Sequence, residues 1–377
     1  MDFGLDETSR LVRETAEAFS KRRLAPIAKS IDEDGAIPGE VLKELADLGL
    51  MGVNVPEEYG GAAAGVLAYS QAMMQIAGGC ASTAVTMAVT NMVGEVIAAF
   101  GTDAQKARTI PRLTSGETLG AFALSEVDAG SDPGGMRTTA VRDGDEWVLN
   151  GTKQWISHAD GSEVMIVWAR TGDTSSKGLS CFLLEGRPPG LSIPGHEDKM
   201  GLRGSHTCSL VFEDMRLPSD ALFGELGGGF KIAMMALDGG RIGIASQSIG
   251  IGRAAQAAAV AYSKDRKQFG EAIAAFQAIQ WMIADNETDL AAAEVLVGRA
   301  AWLKEKGERF SQEASMAKVY ATEAAWRVCN RAVQVHGGYG YTREFAVERH
   351  LRDVRVTQIY EGTSEVQRIV ISRALLK

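Results

Sequence analysis

Apolar residues recur at one-face helical spacing near the start of the chain, at Leu11, Thr15, Ala18 and Phe19, and the stretch from Ser82 to Phe100 is rich in alanine and valine. The helical texture runs from Asp6 to about Gly116, broken at Pro38, Gly49, Gly60-Gly61 and Gly78-Gly79. From about Leu119 it gives way to short apolar or alternating runs, "LGAFALS", "EWVLNG", "VMIVWAR", "LSCFLLE" and "CSLVFEDM". Turn signals such as Arg142 to Asp145 separate them, a pattern of antiparallel β structure. From about Gly229 long helical stretches return over 230–265, 277–306, 311–336 and 363–376, the lengths of bundle helices. The pattern therefore predicts a mainly α protein with a central β domain: an N-terminal helical unit over 1–118, a middle antiparallel β unit over 119–226 and a C-terminal four-helix bundle over 227–377.

A chain of 377 residues is too long for one ordinary core, in keeping with three units. No apolar run approaches the roughly 20 residues of a membrane span. The acidic start, Met1 to Glu7, lacks the order of a secretory signal, so a cytoplasmic protein is expected. A net charge of -9, with no block of Lys and Arg, argues against a nucleic-acid partner. The four cysteines, Cys80, Cys181, Cys208 and Cys329, are widely spaced and read as buried reduced thiols. The five histidines lack metal-ligand spacing and no H-E-x-x-H is present, so no metal site is expected.

Several cofactor signatures are missing. There is no G-x-x-x-x-G-K-[ST], no G-x-S-x-G and no strand followed by G-x-G-x-x-G, which speaks against a Rossmann domain despite 43 glycines. Five other segments stand out: "FALSEVDAGSD" (Phe122 to Asp132), "KQWISHA" (Lys153 to Ala159), "DRKQFG" (Asp265 to Gly270), "QVHGGYGY" (Gln334 to Tyr341) and "QIYEGTSEVQR" (Gln358 to Arg368). Taken singly, the first four favour plain structural readings: an Asx/Gly turn, a core tryptophan, a surface arginine, a helix C-cap. In the last, Glu361 stands between an aromatic and a glycine, where lost hydration favours a general base tuned near neutral pH. Ser364 and Gln367 also have the spacing of a capping box, so the same stretch reads as the start of the final helix.

Together these segments, with "LDGGRIGIASQSIG" and "RHLRD", resemble the acyl-CoA dehydrogenase family of flavoproteins from Leu5 to Lys377, nearest its short-chain, butyryl-type branch. The resemblance implies FAD between the β domain and the bundle. Phe122, Leu124, Ser125, Trp155, Ile156 and Ser157 would face the flavin, Ser157 standing where many members have threonine, and Ser131 would lie nearer the substrate. Arg266, Phe269, Gln277, Gln334, Val335, Gly337 and Gly338 would reach the FAD of a neighbouring subunit, and Thr363 and Glu365 the pyrophosphate. Asp238, Arg241 and Gly362 would contact substrate or hold the base loop.

Glu361 would then remove the proton α to a thioester carbonyl while a hydride leaves the β carbon, its own backbone N–H helping to stabilise the enolate. Isovaleryl-type and long-chain members draw the base from the position of Gly240, which cannot act here. Glutaryl-type members carry an arginine near the position of Ala81, so an aliphatic monoacyl substrate is favoured. The resemblance further implies an acyl-CoA substrate, an electron-transferring flavoprotein as acceptor and a homotetramer. A same-fold oxidase using oxygen, a branched-chain dehydrogenase and a non-catalytic nucleic-acid-binding relative are the alternatives. The charge balance and Glu361 speak against the last.

Overall fold

The computed structural model describes residues 4–376; Met1, Asp2 and Phe3 of the acidic start and the final Lys377 lie outside the described residues. The N-terminal helices are Glu7–Phe19, Ala28–Asp34, Gly39–Asp47, Val66–Gly79, Ala81–Phe100 and Asp103–Thr114. Their breaks follow the expected punctuation: Pro38 caps one helix, and Gly49 and Gly60 adopt left-handed φ angles of 74° and 80°. The first helix is rotated from its expected setting. Leu11 is 62% exposed and Ala18 is also exposed, while Ser9, Ala16 and Phe19 are buried and Val12 packs on the same core. Positions 9, 12, 16 and 19 form the true stripe, so the apolar Leu11 lies off it.

The absence of a membrane-length apolar run also needs correcting. The helix Ala81–Phe100 is 20 residues long, and its most apolar window has a mean hydropathy of 1.4, enough by length and composition to cross a membrane. Of that window 67% is buried inside the protein, where the helix is a core element.

The middle unit is an eight-stranded sheet. Its order is Leu191–Ser192, Thr207–Pro218, Glu146–Ser157, Thr139–Asp143, Ser162–Arg170, Leu179–Glu185 and Leu222–Phe223, with Leu119–Ala123 paired to Ser162–Arg170. The hairpin Thr139–Asp143 to Glu146–Ser157 turns at Gly144, with φ 59°, where the sequence places its turn. One feature departs from the expected antiparallel pattern: Leu119–Ala123 runs parallel to Ser162–Arg170, as does the single pair Thr139 and Arg170. That parallel strand, buried at Ala121 and Ala123, carries the chain from the helices straight into the segment beginning at Phe122.

The C-terminal helices are Gly229–Asp265, Gln277–Glu305, Ser311–His336 and Ser364–Leu375, close to the four expected, and a fifth of nine residues, Val347–Arg355, lies between the last two. A small hairpin, Lys267–Gln268 with Glu271–Ala272, joins the first two and puts Phe269 at its tip, 96% exposed. All four cysteines are free and buried. The helix Gly229–Asp265 packs its glycines against neighbours. A Cβ on Gly250 would stand 2.1 Å from the Met74 carbonyl oxygen and 2.9 Å from Ala77 Cβ.

Gly250→Ala should therefore destabilise the protein. Its gain in helix propensity of about 1 kcal/mol is outweighed by an overpacking cost of about 1–3 kcal/mol or more. A thermal melt of the variant that matches or exceeds the parent would refute this contact.

Candidate active site

The chain leaves Val347–Arg355 through a short 3-10 turn, Val356–Gln358, and enters two consecutive left-handed residues, Glu361 at φ 54° and Gly362 at φ 86°. A non-glycine residue held there costs of order 1–3 kcal/mol unless its surroundings enforce it. Here they do. The Gln367 side chain donates to the Glu361 carbonyl at 3.1 Å and the Gly362 carbonyl at 2.8 Å, and Lys318 Nζ donates to the Gly362 carbonyl at 2.6 Å. The helix that follows is capped by Thr363, which accepts from the Val366 N–H at 3.3 Å. Ser364 is already helical, so the expected Ser364–Gln367 box is not formed; Gln367 grips the preceding loop instead.

The Glu361 carboxylate reaches the helix Gly229–Asp265 at Gly240. A Cβ at that glycine would stand 2.6 Å from Glu361 Oε2 and 3.4 Å from Met92 Sδ, so only glycine admits the carboxylate there. Glu361 as a residue is half-buried, yet its Oε2 is shut from solvent and has no hydrogen-bond partner. Burial raises its pKa to about 7, against the opposing pull of the Lys318 and Arg241 charges. Lys318, with no exposure, is lowered to about 7 by burial, and Glu361 resists the shift. Arg241 is buried and pairs with Asp238, which accepts a hydrogen bond from Ser311 at 2.9 Å and whose pKa burial raises. Arg241 Nε has no partner. Tyr360 donates to Gln247, which in turn donates to the Ala81 carbonyl at 3.0 Å.

The end of the strand Glu146–Ser157 and the segment leading out of Leu119–Ala123 form a second group. Gln154 N–H donates to the Ser125 carbonyl at 3.0 Å, joining "FALSEVDAGSD" to "KQWISHA". Beneath them Lys153, buried, donates to Glu126 at 2.8 Å and to the Leu124 carbonyl at 3.2 Å, while Glu126 accepts from the Arg137 and Thr138 N–H groups at 2.6 and 3.0 Å. Leu124 and Ile156 are buried, Phe122 packs on Trp168 at 4.3 Å, Ser125 and Ser157 are partly exposed, and Ser131 is exposed. Trp155 is held at φ 65° with its side chain 57% exposed, an unusual setting for an indole and not the core role a lone tryptophan suggests.

A third group lies elsewhere on the bundle. Arg266, Val335, Gly337 and Gly338 line a cavity of about 530 Å³ with Tyr262 and Tyr339, and the Arg266 guanidinium stands 5.7 Å from the Tyr339 ring centre. Gln334 is exposed beside it, and Gln277 opens the helix Gln277–Glu305. Neither Glu361 nor Trp155 lines this cavity. Thr363 caps the last helix, and Glu365 in its first turn is exposed.

Folding also gathers groups that sequence spacing does not reveal. Asp160, His196 and His206 bring one potential ligand atom each within 4.8 Å of the others. His206 uses both ring nitrogens, on Asp160 and on the Gly35 carbonyl at 2.9 Å, and so ties the β unit to the N-terminal helices. Lys318, Lys153 and Glu126 were equally hidden: a charged residue in an amphipathic pattern reads as surface.

A carboxylate with one oxygen shut from solvent and unpartnered, its pKa raised by burial to about 7, set beside two basic side chains that do not bond it, has the properties a general base needs. The comparisons give the class its name. Family models for the acyl-CoA dehydrogenase N-terminal, middle and C-terminal domains match residues 6–117, 121–215 and 227–376. The mitochondrial short-chain specific acyl-CoA dehydrogenase of Bos taurus is 48% identical over 376 residues, covering 99% of this chain and 91% of that protein. Butyryl-CoA dehydrogenase from Megasphaera elsdenii superposes with a TM-score of 0.98 at 42% identity, over 100% of both chains. A chain from structural work on the electron transferring flavoprotein of Acidaminococcus fermentans does so with the same score, identity and coverage. The chain belongs to the acyl-CoA dehydrogenase family, whose members are FAD-dependent oxidoreductases.

Raising the Glu361 pKa from 4.5 to about 7 has a thermodynamic consequence. Between those values the unfolded chain ionises first, so this group withdraws stability as pH rises from about 4.5 to about 7. Glu361→Gln removes that gradient. Its melting temperature should gain on the parent across this window at matched flavin content; parallel melting curves would show that the carboxylate is not dry.

Proposed function

We propose that this protein dehydrogenates a short-chain acyl-CoA thioester to the trans-2-enoyl thioester, Glu361 taking the α-proton. The observation that carries the reading is the Glu361 carboxylate, half-buried, with Oε2 shut from solvent and unpartnered and its pKa raised to about 7. A thioester α-proton is weakly acidic, so its removal calls for a base of raised proton affinity fixed in place. The left-handed Glu361–Gly362 pair and its clamps supply the fixing. The Glu361 backbone N–H donates to no acceptor among the described residues, leaving it free for the developing enolate oxygen.

FAD supplies the hydride acceptor of this chemistry when bound. The residues present suit it. Trp155 offers an exposed indole face on a strained backbone, next to Ile156 and Ser157, and the Lys153–Glu126 pair braces the loop carrying Phe122, Leu124 and Ser125. Thr363 and Glu365 stand at a helix start that suits phosphate. Arg266, Phe269, Gln277, Gln334, Val335, Gly337 and Gly338 form a separate group fitted to hold the same cofactor of a neighbouring subunit. Cavity walls at Gly337 and Gly338, where an added Cβ would meet nothing within 4 Å, and the exposed Phe269 support this. The reading includes a homotetramer, an electron-transferring flavoprotein as acceptor and a cytoplasmic setting. Assembly would cover Phe269, the structure related to flavoprotein work supports the acceptor, and the four free thiols suit a reducing compartment. Substrate contacts fall to Ser131, Asp238, Arg241 and Gly362, and Ala81 offers no charge for a second carboxylate.

Anaerobic titration of the flavin-loaded protein with acyl-CoA thioesters tests the reading. Butyryl-CoA should bleach the flavin band and long, branched or dicarboxylic thioesters should not; a band that butyryl-CoA leaves intact sinks it, and rapid oxygen uptake during turnover would favour an oxidase. Glu361→Gln should retain flavin yet bleach about 10²–10⁴-fold more slowly, and normal bleaching would remove Glu361 from its role. Arg266→Ala should lower flavin content and assembly together, whereas unchanged flavin per chain would count against the cross-subunit contact.

A further inference from the structure

Lys318 sits in the helix Ser311–His336 with none of its surface exposed. An ammonium in that position is expensive unless it is paired. Among the described residues no carboxylate lies within ion-pair distance of it, and its one hydrogen bond runs to the Gly362 carbonyl at 2.6 Å. That carbonyl does not need a cation, because Gln367 already donates to it at 2.8 Å. A leucine or methionine would fill the same space at no electrostatic cost, so the charge itself calls for a reason.

The reason lies one residue back along the chain. Glu361 faces Lys318 from the loop, Glu365 from the first turn of Ser364–Leu375 and Arg241 from the helix Gly229–Asp265. Asp238 already pairs with Arg241, which also reaches Ser315 on Lys318's own helix at 3.4 Å. Tyr360 and Tyr69 feel the Glu361 charge from their own elements. Two cations thus surround a carboxylate that bonds neither of them. A salt-bridged carboxylate gives up its lone pairs and its basicity; a solitary dry one is protonated before substrate arrives. A cation tethered to the adjacent carbonyl avoids both outcomes.

We propose that Lys318 is the positioning residue of the base: gripping the Gly362 carbonyl, it fixes the loop and holds its charge near, but not on, the Glu361 carboxylate. This rests on Glu361 being the base. Burial raises the carboxylate's hold on its proton, and Lys318 is the foremost group opposing it.

The test compares flavin-loaded wild type with Lys318→Met, Lys318→Gln and Lys318→Arg, following anaerobic bleaching by butyryl-CoA from about pH 5.5 to about pH 9. Glutamine can still donate to Gly362 but carries no charge, so it separates tether from field. In the methionine and glutamine variants the midpoint of the acid limb should rise by about one unit or more. Bleaching at pH 7 should slow at least about 10-fold and recover toward the wild-type rate at high pH, and arginine should return the midpoint toward wild type. Should methionine prevent folding, glutamine and arginine carry the comparison. Slower bleaching at every pH with an unmoved midpoint would make Lys318 a structural strut and overturn the proposal alone. A wild type that butyryl-CoA does not bleach would overturn the base assignment and this proposal together.

Discussion

A carboxylate with one oxygen kept out of water and denied a hydrogen-bond partner must hold its proton more tightly, and much of this structure serves to keep Glu361 Oε2 in that state. Glycine at 240 makes room for Oε2 on the helix surface. Consecutive left-handed residues swing the side chain toward that gap, and Gln367 and Lys318 hold the loop there against its backbone strain. Arg241 contributes field without contact, its Nη1 engaged by Asp238 and Ser315. Lose Gly240 or the Gln367 grip and the carboxylate finds water, and its affinity for a proton falls back toward that of an ordinary glutamate; the Lys318 and Arg241 charges act in the opposite sense and hold that affinity down.

The β unit applies the same logic with the opposite outcome. Lys153 and Glu126 are buried too, but they meet at 2.8 Å, Lys153 also donates to the Leu124 carbonyl and Glu126 also accepts from the Arg137 and Thr138 N–H groups. Such a satisfied pair is inert and stiff; losing one partner of a buried pair costs about 3–5 kcal/mol. It anchors the irregular loop after Leu119–Ala123 to the end of the strand Glu146–Ser157, where the pairing slips between Lys153 and Ile156 and Trp155 stands exposed. Satisfied charge braces the sheet, and among the described residues the buried, unpartnered carboxylate oxygen is confined to Glu361.

Much of this was legible along the chain, for physical reasons that can be named. The long C-terminal helices announced themselves through period and punctuation, and the Gly144 turn through its composition. Glu361 stood out because an acid between an aromatic and a glycine is an odd choice for a loop. What escaped was whatever depends on distant partners. The Val347–Arg355 helix sets Val347, Leu351 and Val354 on one face, but nine residues among many charges give too short a run for the period to stand out. Leu11 misled because a lone apolar residue looks the same on either side of a helix. Leu119–Ala123 pairs in parallel with a strand more than thirty residues on, and no local pattern encodes direction. Lys318 and Lys153 read as surface charges, and only the packed structure reveals what each one faces.

The helix Gly229–Asp265 carries one last implication. Gly240, which receives the Glu361 carboxylate, and Arg266, just past its C-terminal end, are separated by about 39 Å at 1.5 Å per residue. A single rod therefore spans the distance from the Glu361 loop to the cavity at Arg266. Its middle is wedged at Gly250 against the Met74 carbonyl with no slack. Such a rod cannot bend locally to suit one end, so a tilt at either end pivots about that contact and displaces the other. If the Arg266 end serves a second subunit, the two centres would share a lever as well as an interface.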